Sequence, residues 1–500
     1  MFKVLPVLLK DGYKAGHIFQ YPKNTAMVYS NLTPRSSRVP GVNGAICFGP
    51  QYFVEEFLIR QFDENFFDQE LDVVMRQYQR RMDNYLGPGV ITYNHIADLW
   101  DLGYLPLKIK SVPEGLFVPT KVPMLTLRNT KDEFFWLTNM LETLLSCVVW
   151  PMSTSATTAF RYRKEFERSS RVTGGSKEFV KWQGHDFSFR GMMGPEAAMM
   201  SGAAHLLSFT GTDTIPAIDF LEEYYGANCE AELIGGSVTA TEHSVMCMRL
   251  VDGEFETFKK LITEVCPSGI VSIVSDTFDF WRVITDYLPR LKDVIMARNG
   301  KVVIRPDSGD PVDIICGNRT DALHSSGREF TDAERRGAIQ KLWDTFGGTT
   351  NDKGYRTLDP HIGLIYGDSI TPERQVQILE RLQAQGFASD NVVLGIGSYT
   401  YQYVTRDTYG FAMKATYAEL LNDGSREPRE IFKKPATDDG TKNSHTGLLH
   451  VYEQDGVLIC QQRVPWSVED TGVLQDIFVD GDVKNFQTLA DIRKRAESNL

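Results

Sequence analysis

Lys301-Val-Val-Ile-Arg-Pro-Asp-Ser-Gly309 decides how the chain is read. Val302, Val303 and Ile304 form a short β-branched run, which reads as a buried strand of a parallel sheet. The run passes straight into a cation, a proline, a carboxylate, a hydroxyl and a glycine. Open α/β sheets and α/β barrels bind ligands at the carboxyl ends of their strands. A surface loop in which Arg305 and Asp307 merely pair would show the same letters, so the neighbours decide. Ile270–Val274 ends in Ser275-Asp276, Ile362–Tyr366 in Gly367-Asp368, and Val392–Leu394 in Gly395-Ile-Gly-Ser398. Helical stretches follow at 278–297, 332–346 and from Thr371-Pro-Glu373 to about Gly386, the last with a cap and a proline at its first position. Repeated strand–helix units with polar strand ends predict an α/β barrel.

Outward from this core the rhythm changes. Pro195–Leu207 reads as a helix, and Asp132–Val149 as a buried helix that stops before Pro151. Residues 1–150 mix helical spacing (Phe53–Phe62, Leu71–Tyr85) with strand-like runs (Leu107–Val112, Val122–Leu127). After Arg406-Asp407 come the strand-like runs Gly410–Tyr417, Leu448–Glu453 and Val457–Arg463, a polar loop over Asp423–Asn443 and a terminal helix from Thr488. The expected architecture is an irregular α/β barrel over 151–404, with a mixed α+β flanking domain built from 1–150 and 405–500.

Five hundred residues exceed one ordinary core. A net charge of −12 without a basic run argues against nucleic-acid or anionic-membrane partners. The seven cysteines are scattered, with no Cys-x-x-Cys pair and no zinc spacing, as suits reduced thiols. The first apolar run is short and interrupted, and none reaches membrane-spanning length, so a cytoplasmic chain is expected. No Walker loop occurs, and no Gly-x-Gly-x-x-Gly follows a strand.

The strand ends supply a defined chemistry. Asp276, Asp307 and Asp368 are carboxylates, and Arg190, Arg305 and Arg406 are guanidiniums. Gly367, Gly395 and Gly397 allow close backbone approach, and His243 titrates near neutrality. Cations with glycine turns suit phosphoryl groups, and carboxylates suit ribose hydroxyls or magnesium-bound pyrophosphate. Together they point to a phosphorylated sugar.

Several blocks then carry a specific resemblance. His185-Asp-Phe-Ser-Phe-Arg-Gly191, Gly211-Thr-Asp-Thr214, Glu242-His-Ser244, Val274-Ser-Asp276, Ile304-Arg-Pro-Asp-Ser-Gly309, Gly367-Asp368 and Thr405-Arg-Asp407 stand in this order, with Asp11-Gly-Tyr-Lys14 and Gln20-Tyr-Pro22 near the start. In order and spacing the chain resembles the nicotinamide phosphoribosyltransferases, which are type II phosphoribosyltransferases. The resemblance implies a head-to-tail homodimer that joins nicotinamide to phosphoribosyl pyrophosphate. Nicotinamide would lie between Phe187 of one subunit and Tyr13 of the other, its carboxamide read by Asp213. A helix N-cap role for Asp213 remains the plain alternative. Arg305 matches a residue near ring and ribose, and Asp276 and Asp307 match carboxylates for ribose and the magnesium-pyrophosphate end. Gly367 and Asp368 match the ribose turn. Arg190, Arg406, Gly397 and Ser398 match the 5′-phosphate cradle, with Lys414 as helper, and Asp11 and Ser272 complete the substrate-binding set. Asp407 is equally readable as a partner of Arg406. His243 matches a histidine phosphorylated from ATP. Arg35, Arg38 and Lys433 stand within reach of the phosphate end, while His185 and His17 receive no role.

The chain departs from the family pattern twice. Ser398 follows Gly397 where relatives run glycines together, and residues Gly317–Thr331 look like a surface insertion. Three rival readings remain: a nicotinate phosphoribosyltransferase, a silent binding protein of the same fold, and a sugar-phosphate isomerase barrel.

Overall fold

The computed structural model, which describes residues 3–320, 323–437 and 443–500, divides into two units. One comprises Thr158–Asp219 and Asn228–Tyr403, the other Met1–Thr157, Phe220–Ala227 and Val404–Asn499. Nothing in the sequence pattern signalled that Phe220–Ala227 groups with the terminal segments.

The first of these units holds seven parallel strands: β1 Gly184–Asp186, β2 Gly211–Thr212, β3 Thr239–Ala240, β4 Gly269–Val274, β5 Gly300–Arg305, β6 Ile362–Tyr366 and β7 Val392–Ile396. Their order in the sheet is β2-β1-β7-β6-β5-β4-β3. Beyond the sheet edge, Thr212 N donates to Gly236 O at 3.0 Å, and Gly236 N to Thr210 O at 2.8 Å. Gly236 stands just before β3, so these bonds join the two edges and the ring runs in chain order. The expected irregular barrel is the observed one.

Alternation along β5 explains what the barrel does with its strands. Val302 and Ile304 point outward into the core against helix residues such as Leu288, Leu342 and Ile378. Each such buried aliphatic side chain contributes roughly 1.5–3 kcal/mol. Lys301, Val303 and Arg305, the alternate residues, line a cavity inside the ring. The run that reads as uniformly buried is therefore buried on one face only.

The other unit carries a seven-stranded antiparallel sheet. At its heart Thr25–Pro34 pairs with Phe411–Asn422, so strands from opposite ends of the chain are neighbours. This unit draws on segments from both ends of the chain together with Phe220–Ala227.

Three local expectations are corrected. Pro151 does not end a helix: Phe135–Thr173 is continuous with Pro151 inside it. Proline removes one backbone donor, and the buried Val148, Val149 and Met152 around it keep the helix together. The span 332–346 is broken at Gly337, whose φ of 81° separates Asp332–Arg336 from Ala338–Phe346. Ser425–Glu430, read as loop, is an exposed strand paired with Phe411–Asn422 through a turn at Asp423-Gly424. Of the segment Gly317–Thr331, residues 321–322 lie outside the described residues. The remainder is mostly exposed and leads to a capping box in which Thr331 accepts from Glu334 N.

Candidate active site

The site grows from the ends of β4 and β5. Asp276, which follows β4, has a side chain only 4% exposed. Its Oδ2 accepts from Asp307 N at 2.9 Å and from Ser308 Oγ at 2.6 Å. Its Oδ1 lies 3.2 Å from His243 Nε2. The turn after β5 is thus built onto the carboxylate that ends β4, and the same carboxylate orients His243. The Tyr366 hydroxyl, at the end of β6, donates to the carbonyls of Ser308 and Gly309 at 2.9 and 3.0 Å. Burial first, then the carboxylates of Asp276, Asp368, Asp310 and Asp307, push its pKa up, so it stays a donor.

Asp307 is less satisfied. Its Oδ2 meets Arg305 Nη2 at 3.3 Å, while its buried Oδ1 and the buried Arg305 Nε have no hydrogen-bond partner among the described residues. Buried polar atoms left unpaired are costly, so this pair is a candidate for contact with a ligand. A Cβ at Gly367 would run into Asp307 Oδ1, so only glycine lets the end of β6 close over this carboxylate. Asp368 beside it is exposed and accepts from Ser369 Oγ at 2.8 Å.

A second cluster forms where β1, β2 and β7 end. Phe187 follows β1, and its N donates to Ile396 O at 3.0 Å. Its ring packs on Gly395, where a Cβ would collide with it, and the Arg305 guanidinium lies 5.1 Å from its centroid. Asp213 follows β2; its Oδ1 is 2.8 Å from His185 Nε2 and accepts from Ser237 Oγ at 2.8 Å. Burial raises the Asp213 pKa, but His185, Ser237 and Arg305 outweigh it and hold the carboxyl below the ordinary aspartate value. The helix-cap reading fails here, because the carboxylate faces His185 and Ser237. Phe187, Asp213, Arg305 and Ser272 line a cavity of about 460 Å³, which extends past Val303 to Lys301. That volume lies in the range of small-molecule sites, roughly 300–1,000 Å³.

The third cluster stands after β7. Gly397 faces open space, and a Cβ on Gly191 would collide with Ser398. Arg190, in the turn Phe189–Gly191, is exposed.

The remaining sequence candidates belong to the other unit. Tyr13 is 66% exposed. Asp11 Oδ2 accepts from Thr143 Oγ1 at 2.7 Å. Arg406 reaches Asp407 Oδ1 at 3.8 Å, and Arg38 reaches Asp407 Oδ2 at 3.4 Å, so Asp407 is a partner to both. Lys414 donates to Met413 O at 2.8 Å. Burial, then the nearby Arg35, Lys433 and Arg406, lower its pKa against the pull of Glu142. These residues form a cationic group of their own, with Tyr13 close enough to feel Arg406.

Sequence reasoning gave His185 no role and passed over Ser237 and Tyr366. His185 and Asp213 meet because β1 and β2 pair in parallel with His185 opposite Gly211. Their separation of 28 residues carries no local signal.

Comparison with known proteins agrees with this geometry. Residues 182–473 match the model of the nicotinate phosphoribosyltransferase family. The chain is 49% identical over its full length to a nicotinamide phosphoribosyltransferase of Acinetobacter baylyi, covering 98% of that protein. It is 33% identical to the nicotinamide phosphoribosyltransferase of Mycoplasma pneumoniae, over 89% of this chain and 97% of the relative. In fold it is similar to the human nicotinic acid phosphoribosyltransferase, with a TM-score of 0.54 at 17% identity over 98% of this chain and 93% of the other. A parallel barrel with carboxylates and a histidine at its strand ends, matched over more than half its length by one family, leaves one assignment: the chain belongs to the nicotinate phosphoribosyltransferase family.

Proposed function

We propose that this phosphoribosyltransferase uses nicotinamide, joining it to phosphoribosyl pyrophosphate to give nicotinamide mononucleotide and pyrophosphate, a step of NAD salvage. The observation that carries the reading is Asp213. A carboxylate kept ionised by His185, Ser237 and Arg305, beside the Phe187 ring, accepts a hydrogen bond from an amide NH2 and repels a carboxylate. The two relatives named above support the same base.

The pyridine nitrogen forms a bond to C1 of the ribose as the bond from C1 to the pyrophosphate oxygen breaks, and the electron pair leaves with that oxygen. No proton moves in this step, so neither a general base nor a protein nucleophile is needed. What the protein contributes is position and charge. Phe187 and Arg305 would hold the ring, and the unpartnered Oδ1 of Asp307 would face the ribose as positive charge develops on C1. Gly367 and Asp368 would seat the ribose, and Arg190, Gly397 and Ser398 the 5′-phosphate.

Among the described residues no group of three or more histidine, cysteine or acidic side chains forms a metal cage. The strand-end carboxylates suit magnesium that would be bound through the substrate pyrophosphate, with Asp307 toward that end. When bound it would neutralise charge on the departing pyrophosphate. Asp276 already meets three donors, so its part is to position Asp307 and His243.

His243 is assigned as the acceptor of the terminal phosphoryl group of ATP. Its side chain is 48% exposed, and Asp276 holds Nε2, leaving Nδ1 for phosphorylation. Tyr13, Arg406 and Lys414 would complete the site of a second copy, making the enzyme a homodimer. The seven cysteines, scattered and without a Cys-x-x-Cys pair, suit a cytoplasmic setting.

The test is purified protein with phosphoribosyl pyrophosphate and magnesium, offered nicotinamide or nicotinate, with and without ATP. Nicotinamide mononucleotide should form in strong preference and faster with ATP. Preference for nicotinate would overturn the Asp213 reading, and no product from either base would favour a silent binding protein.

A further inference from the structure

A second cavity, of about 860 Å³, lies in the unit that carries the termini. Lys3, Lys10, Arg76, Arg80 and Arg81 line it, and among the described residues no acidic side chain does. In a chain of net charge −12 this is a local reversal of sign. The helix Leu71–Leu86 writes the pattern: Val74, Tyr78 and Met82 are buried, while Arg76, Arg80 and Arg81 share the cavity face. Like charges at i and i+4 repel, so this face is destabilising until an anion meets it. Among the described residues no ion pair reaches Lys3, Lys10, Arg80 or Arg81, and Arg76 Nε donates to the Asp72 carbonyl at 3.0 Å. On the same helix Asp83 is taken by the Tyr93 hydroxyl.

Lys10 sharpens the case. Burial lowers its pKa to about 8, and its Nζ donates to the Tyr78 hydroxyl at 3.1 Å. Burial and the Lys10 charge together hold His95 down to about 4. An ammonium kept in such surroundings without a carboxylate awaits a counter-charge from outside the protein. Apart from Gln77, the rest of the wall is apolar or aromatic, including Val4, Leu5, Leu8, Met82 and the ring of Tyr85, which is 60% exposed.

We propose that this cavity binds a phosphorylated nucleoside, its phosphates on Lys10, Arg76, Arg80 and Arg81 and its flat body against Tyr85, Leu5 and Leu8. Guanidiniums in this number match phosphate oxygens, and the volume lies in the range of small-molecule sites. Gly12 also lines the cavity, and a Cβ there would collide with the Tyr85 ring. Tyr13 is the next residue, so an occupant presses on the turn that presents it. That coupling rests on the reading of Tyr13 above; the binding does not.

The test uses the full chain and limiting acetic anhydride near pH 8, with acetylation of the Lys10 peptide read by mass spectrometry. ADP should slow acetylation of Lys10 several-fold while adenosine does not. In an Arg80→Gln/Arg81→Gln variant the same protection should need on the order of tenfold more ADP. Turnover of that variant should match the parent, which shows that it folds. Equal protection in parent and variant, or by adenosine alone, would overturn the proposal. Protection by inorganic phosphate as strong as by ADP would overturn the nucleoside part of it.

Discussion

In the barrel unit Asp276 is 4% exposed and meets three donors, whereas in the terminal unit Tyr13 is 66% exposed and Arg406 reaches only as far as Asp407, at 3.8 Å. The barrel holds its groups in mutual bonds, so their geometry exists before substrate arrives. The terminal unit offers groups on turns and strand ends that are more exposed and more loosely held, with Asp407 facing Arg38 at 3.4 Å and Arg406 at 3.8 Å. Preorganised charge lowers the barrier to reaction, while exposed charge mainly adds binding. Substitutions in the two units should therefore differ in kind as well as in size.

The largest loss is expected in the barrel. Asp307→Ala removes the unpartnered Oδ1 and strands Arg305, and should lower kcat/KM roughly 100- to 1,000-fold, mainly through kcat. A loss confined to KM would place Asp307 among simple binding groups. Next, Phe187→Ala and Tyr13→Ala should each lower kcat/KM roughly 10- to 100-fold, the Tyr13 change mainly through KM for the base. In the proposed homodimer, mixing and refolding them together should recover about a quarter of the parental sites, because half of the pairs would unite unlike chains and each of these would carry one intact site. No recovery would mean that both rings come from one chain. Arg406→Ala should raise KM for phosphoribosyl pyrophosphate roughly tenfold with little change in kcat. A large fall in kcat would erase the distinction between the units.

The smallest effect expected is none. The Asp213 pKa lies below the ordinary 3.8, so its carboxylate stays ionised through neutral pH and is lost only as pH falls through that lowered value. The preference for nicotinamide should be flat between about pH 6 and 9. A preference that changes across this range would contradict the reading of Asp213 as the selector.

The contrast between the units also explains what the sequence discloses. Asp276, Asp307 and Asp368 were legible because each follows a β-branched run long enough to show a strand. β1, β2 and β3 are three, two and two residues long, too short for any period, and they surface only through the resemblance. His185 was overlooked for a related reason: its partner lies on the neighbouring strand of a parallel pair, and parallel pairing brings together residues far apart in sequence. Asp423-Gly424 could have been read as a hairpin turn, since both residues take positive φ, at 47° and 80°. The charged run of Ser425–Glu430 concealed the strand because an exposed edge needs no alternation. Pro151 misled for the opposite reason, as tertiary burial outweighed a local breaker.

The most direct test of the central claim compares kcat/KM for nicotinamide and for nicotinate in the parent enzyme and in Asp213→Asn. The parent should favour nicotinamide strongly, and the variant should lose on the order of 10- to 100-fold of that preference, because the repelling charge is gone while His185 and Ser237 remain. An unchanged ratio in the variant would contradict the account and move the choice of base away from Asp213.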